Sequence, residues 1–236
     1  MRSLLLAFAA LFALASVHAQ ESGLDHFNAG MEKSRQKDYK GAIEAYNKAI
    51  ELDSADWKNY FNRGLAYKDL NNYKLALADF TVAIRFAPEN EILYYSRGIT
   101  KYMLRDFTGA VADLHQLIEL DNDYPSAYLV RGNAYRELKN NKLAIADYEN
   151  AIKANPKEEE AYFQRGVLRG YQKDFAGATA DFSKAIALNP ENANSYVNRG
   201  LARLNNKQKE EACADFKKAI TLGHANAKQM LVAYCK

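Results

Sequence analysis

Between Trp57 and Asn90, apolar residues recur at helical spacing on both sides of a polar break at Asn71-Asn72. That spacing predicts two amphipathic helices joined by a short turn. The pattern then returns at a fixed interval. Gly30, Gly64, Gly98, Gly132, Gly166 and Gly200 stand 34 residues apart, and Ala42, Ala76, Ala110, Ala144, Ala178 and Ala212 keep the same step, as do Ile50, Ile84, Ile118, Ile152, Ile186 and Ile220. Six two-helix units follow, at 23–56, 57–90, 91–124, 125–158, 159–192 and 193–226, with 227–236 left over. Pro88, Pro156 and Pro190 fall where the second helix of a unit should stop, because Pro lacks the N–H that would continue it.

A glycine inside a helix costs about 1 kcal/mol relative to alanine, so six in register call for a compensating contact at each. Close approach of the two helices supplies one, with Gly64 and Ala76 removing side chains that would hold them apart. Tyr46, Phe80, Tyr148, Phe182 and Phe216 then fill the space beside the crossing, with Leu114 in their place in the third unit.

Composition narrows the class. Of 236 residues, 48% are apolar and 26% charged, with 12 Gly and 4 Pro. This describes a folded chain without a low-complexity linker. Its 32 Lys and Arg nearly cancel 29 Asp and Glu, so the total suggests no nucleic-acid partner. Residues 1–19 join a basic Met1-Arg2-Ser3 start, an apolar run from Leu4 to Ala15, and the small residues Val17 and Ala19. This is the pattern of a secretory signal peptide. The run is shorter than the roughly 20 apolar residues of a spanning helix, which disfavours an uncleaved anchor. An exported chain, in periplasm or medium and without stable membrane insertion after cleavage, is expected. In such a compartment Cys213 and Cys235 would pair. They lie eleven residues before and after His224, so a hairpin turning there brings them level. The alternative, a redox-active pair, lacks a Cys-x-x-Cys arrangement.

The period, the glycine in the first helix, and the alanine, aromatic and proline positions of the second resemble the tetratricopeptide repeat family. The resemblance implies an all-α, right-handed superhelical solenoid of six helix-turn-helix repeats, with a concave face lined by the first helices. The first unit departs from the rest, having His26 where later units have Tyr60, Tyr94, Tyr128, Tyr162 and Tyr196; the sixth has Gly223-His224 where a proline is usual. The C-terminal stretch, with Met230, Leu231 and Tyr234, reads as a capping helix over the last repeat.

Two charged ladders run through the units. Arg63, Arg97, Arg131, Arg165 and Arg199 each precede the unit glycine, and Asp79, Asp113, Asp147, Asp181 and Asp215 each precede the aromatic position. Both are missing from the first unit, where Ala29 and Ala45 stand instead. Joint absence favours pairing within a unit; a row of arginines gripping an acidic ligand is the alternative.

The family places the second, fifth, ninth, twelfth and thirteenth residues of each unit in the groove. Implied ligand-groove residues are Phe27, Met31, Phe61, Leu65, Tyr95, Ile99, Tyr102, Asn133, Phe163, Val167 and Tyr171. The stripe is apolar except in the fourth unit, where Arg136 and Glu137 join Asn133. Either it packs between adjacent first helices or it forms an exposed apolar patch that takes a protein or peptide segment, with Asn133 holding a ligand amide. Lys58, Asn62, Asn133 and Asn198 do not reproduce the spacing with which some family members grip a terminal carboxylate. His26, His115 and His224 are too dispersed for a metal site, and no catalytic or cofactor motif is present. A non-enzymatic interaction scaffold without cofactor or metal, suited to a cell-envelope complex, is therefore expected; a self-assembling structural repeat protein is the alternative.

Overall fold

A computed structural model describes residues 23–235; the segment 1–19, expected from its sequence to be a signal peptide, lies outside them. The described residues form thirteen helices and no strand. They divide into two compact units, one ending at Asp121 and the next beginning at Asn122.

The first unit holds α1 (23–35), α2 (Tyr39–Leu52), α3 (Trp57–Asp69), α4 (Tyr73–Phe86), α5 (Glu91–Met103) and α6 (Phe107–Leu120). The second holds α7 (Pro125–Glu137), α8 (Asn141–Ala154), α9 (Glu159–Tyr171), α10 (Phe175–Leu188), α11 (Ala193–Asn205), α12 (Lys209–Thr221) and α13 (Ala227–Tyr234). Helices pair as hairpins in sequence order, and within a unit each hairpin packs on the next.

Local chemistry sets the boundaries. The Asp38, Asp106 and Asp174 side chains accept hydrogen bonds from the Gly41, Gly109 and Gly177 N–H groups and so cap α2, α6 and α10. Asp56, Asn90 and Asn192 cap α3, α5 and α11 in the same manner, satisfying donors that would otherwise lack partners. Each hairpin tip closes with a left-handed residue just past the first helix: Lys37, Asn71, Arg105, Lys139, Lys173 or Lys207, with φ between 60° and 64°. At the second tip Asn72 N–H returns to the Tyr67 carbonyl at 2.8 Å and Asn71 N–H to that of Lys68 at 2.8 Å, the Schellman pairing. Pro88, Pro156 and Pro190 follow the ends of α4, α8 and α10, while Pro125 opens α7, where its fixed φ suits the first helical position.

The register glycines sit against the second helix. A Cβ on Gly64 would stand 2.8 Å from Cε1 of Phe80, and one on Gly132 2.8 Å from Cε1 of Tyr148. The absent side chain therefore makes room for a ring, and in the third hairpin for Leu114 against Gly98. Tyr46, Phe80, Leu114, Tyr148 and Phe216 are fully buried there. The tenth residue of later hairpins, such as Ala66 and Leu168, packs into the preceding hairpin's core, joining hairpins as the glycines join helices.

Cys213 and Cys235 form a disulfide, with Cα atoms 5.8 Å apart. It fixes α13 to α12, and Met230 packs against the cluster of Val197, Ala219 and Ala227 while Tyr234 meets Phe216 at 6.5 Å.

Candidate functional site

The arginine and aspartate ladders are internal. In every hairpin after the first, Arg Nε and Nη2 donate to the two oxygens of the Asp sixteen residues on, as from Arg63 to Asp79 at 2.8 and 2.7 Å and Arg131 to Asp147 at 2.8 and 2.7 Å. The bidentate hydrogen bond to Asp79 is the main reason the Arg63 guanidinium holds its proton above the ordinary range, against desolvation. Each arginine also lies over the tyrosine three residues before it, from 5.5 Å at Tyr196 to 5.8 Å at Tyr94. His26 replaces that tyrosine in the hairpin that lacks the arginine, so the first hairpin loses the whole Tyr–Arg–Asp stack together.

The arginines reach one hairpin further. Arg63 Nη1 donates to Asn47 Oδ1 at 2.6 Å and Arg199 Nη1 to Ser183 Oγ at 3.1 Å, so the ladder ties neighbouring hairpins. Lys101, Arg169 and Arg203 add a second cation to Asp113, Asp181 and Asp215 at 2.9, 2.9 and 2.6 Å. Tyr67 and Tyr135 occupy the equivalent position beside Arg63 and Arg131. The basic-or-tyrosine choice at the eleventh residue was the sequence signal for this difference.

The stripe from the first helices is half-buried, not free. In the first unit Phe27 packs on Tyr46 at 6.0 Å and Met31 joins the same cluster. Phe61 lies 5.8 Å from Phe80, and Tyr102 meets Phe107 edge-on at 5.3 Å. Leu65, Tyr95 and Ile99 are also half-buried. In the second unit Asn133 Oδ1 accepts from Tyr148 Oη at 2.8 Å, so a ligand amide would have to share that oxygen. Arg136 binds Glu137 at 3.0 Å and Gln164, and Gln164 donates to Glu160 at 2.5 Å. The polar stretch anticipated for the fourth hairpin is thus tied to the fifth. Nearby, burial pushes the Glu159 carboxyl above its usual value of 4.5; a hydrogen bond from Asn192 opposes this, and Glu160 and Glu158 add to it.

One stretch of the stripe opens. Val167 and Tyr171 of α9 line a recess of about 270 Å³ with Phe175 and Phe182 of α10 and Leu201 and Ala202 of α11. Tyr171 is 78% exposed. The recess exists because Gly170 stands where other hairpins carry Ser34, Lys68, Tyr102, Arg136 or Leu204; a Cβ there would meet nothing within 4 Å. Phe163 packs beneath it on the Phe182 ring at 5.7 Å. At the edge, Asn198 and Asn205 donate their amide N–H groups to the Asn194 and Leu201 carbonyls, both at 2.9 Å. With an N–H of each amide engaged in this way, Oδ1 remains the acceptor of that side chain. The sequence reading placed Val167 and Tyr171 on this face and weighed Asn198 only for gripping a terminal carboxylate, but did not single out Gly170, Phe175 or Asn205.

Among the described residues no group of three His, Cys, Asp or Glu side chains is arranged to hold a metal ion. No helix there is long and apolar enough to cross a membrane.

Comparison with known proteins agrees with this architecture. The sequence matches the profile described as "TPR repeat" at 34–71 and 132–170, and profiles described as "Tetratricopeptide repeat" at 58–90, 159–192 and 182–214. No curated protein matches the chain significantly. Among solved structures, it resembles YrrB, described as a TPR protein with an unusual peptide-binding site, at 23% identity and a TM-score of 0.68 over 80% of this chain and 98% of that one. It resembles pilF of Pseudomonas aeruginosa at 15% identity and a TM-score of 0.76 over 92% and 99%. A tetratricopeptide repeat protein from Parabacteroides merdae aligns at 25% identity and a TM-score of 0.61 over 89% and 83%. With profile matches spread over more than half its length, the chain belongs to the tetratricopeptide repeat family.

Proposed function

We propose that this protein is a non-enzymatic scaffold that holds a segment of a partner protein against its first helices, in an exported, cell-envelope setting. The recess between α9, α10 and α11 carries the proposal: apolar walls accept a side chain, while the Asn198 and Asn205 oxygens accept N–H groups from the chain that bears it. An apolar anchor flanked by backbone donors matches this set better than a charged terminus does. In the second unit Asn133 and Phe163 extend the candidate surface; Phe27, Met31, Phe61, Leu65, Tyr95, Ile99 and Tyr102 are the corresponding first-helix candidates of the first unit taken by itself. The fold family supports protein binding, and YrrB's description names a peptide-binding site in a similar fold. The Cys213–Cys235 disulfide supports an oxidising compartment.

A photo-crosslinking residue placed at Tyr171, and as control at Leu75, which is 50% exposed on α4, tests this in the native host. A discrete adduct from position 171 that is absent from position 75 is expected. Identical products from both positions, or none from 171, contradict the assignment.

A further inference from the structure

Charge in this nearly neutral chain is sorted between the two ends of its hairpins. Nine-residue windows centred on Lys37, Asn71, Arg105, Lys139, Lys173 and Lys207 hold 16 Lys and Arg against 7 Asp and Glu. Windows centred on Ala55, Glu89, Lys157 and Glu191, at the opposite ends of the helices, hold 4 against 9. Three tip cations, Lys101, Arg169 and Arg203, are engaged with buried aspartates, yet all six left-handed tip residues are exposed. Both compact units carry both edges.

Helix electrostatics alone does not produce this sorting. Cations are favoured at every helix C-terminus, but α2 closes on Asp53 and neither α2 nor α10 has a basic residue in its last turn. Nor does backbone conformation select the tip residues. A left-handed position past a helix favours Gly or Asn, and Asn71 shows that the tip accepts Asn; elsewhere Lys or Arg is used despite its conformational cost.

We propose that the basic tip edge of one copy docks on the acidic loop edge of a second copy. Within each compact unit the basic and acidic edges arise from the same hairpins, so a second copy supplies a complementary edge for each, whereas an unrelated polyanion would leave the acidic edge unused. Because unlike surfaces meet, the contact is heterologous and extends to rings or open rows. This side-by-side contact leaves the first-helix face free and does not depend on its function; it also differs from end-to-end stacking, which α13 covers at one end. Single exposed pairs are weak, so association depends on several acting together and on little screening.

Light scattering on the wild-type protein over a concentration series, in about 0.01 M and about 1 M salt, tests the proposal; the Debye lengths are roughly 30 and 3 Å. Average mass should rise about twofold or more at low salt and fall to that of one chain at high salt. A tip variant (Lys37→Glu, Lys139→Glu, Lys173→Glu, Lys207→Glu) and a loop variant (Glu89→Lys, Glu91→Lys, Glu158→Lys, Glu191→Lys) should each stay monomeric, and an equimolar mixture should associate again. Constant wild-type mass at low salt overturns the proposal, as does growth that persists at high salt or unchanged association of both variants. Wild type that binds vesicles of anionic lipid but does not self-associate also overturns it and assigns the basic edge to an anionic surface. The wild-type salt series decides even if a variant fails to fold.

Discussion

At the residue scale, the register glycines and Gly170 carry opposite expectations. A Cβ on Gly132 would crowd both Tyr148 and, at 3.3 Å, the Ala144 carbonyl. Overpacking costs about 1–3 kcal/mol, more than the roughly 1 kcal/mol of helix propensity that alanine returns. Gly132→Ala should therefore lower the urea midpoint, whereas Gly170→Ala, entering open space, should raise stability by up to about 1 kcal/mol. A shared sign would show that the glycines are not packing positions. The buried aspartates also divide. Asp147→Ala leaves Arg131 without its carboxylate and should cost about 3 kcal/mol. Asp215→Ala does the same to both Arg199 and Arg203 and should cost more, toward 5 kcal/mol; equal urea-unfolding losses would contradict the second-cation account. Glu159 gives a pH-dependent case. Its folded pKa is raised, so its contribution to stability is full below its usual 4.5 and is lost as pH rises through the folded value. Glu159→Gln should thus be more stable than wild type at neutral pH, with the gain vanishing in acid; a gain that grows in acid would contradict the assigned direction.

At the element scale, the last helix depends on its covalent tie. α13 has eight residues, too few to persist alone in water. Closing the loop between Cys213 and Cys235 should contribute roughly 3 kcal/mol. Urea unfolding with and without reductant checks this, and an unchanged midpoint would show that packing of Met230 and Tyr234 alone holds the cap. Much at this scale was legible in the sequence, because a 34-residue period repeats every helix boundary and each proline and cap marks one. The pairing of Arg63 with Asp79 was legible from constant spacing and joint absence in the first hairpin. The reach of Arg63 to Asn47 was not, since the residue at that acceptor position changes from hairpin to hairpin. Nor was the recess at Gly170, which is created by a missing side chain outside the repeating glycine register.

At the scale of the whole molecule, repetition and exception have different roles. The Tyr–Arg–Asp stacks and register glycines recur in every later hairpin, where they hold helices together and take the strongest polar groups out of solvent. What differs between hairpins shapes the first-helix face: Gly170 stands at the recess, and Asn198 and Asn205 line it. The central claim is that a partner segment seats an apolar side chain there. The most direct measurement is fluorescence anisotropy with the tightest peptide selected from a displayed random library, titrated with wild type and with the Tyr171→Ala, Leu201→Ala variant. The account predicts an apolar anchor in the peptide and a loss of affinity of about tenfold or more, roughly 1.4 kcal/mol, with helix content unchanged. Equal affinity of a folded variant would contradict it.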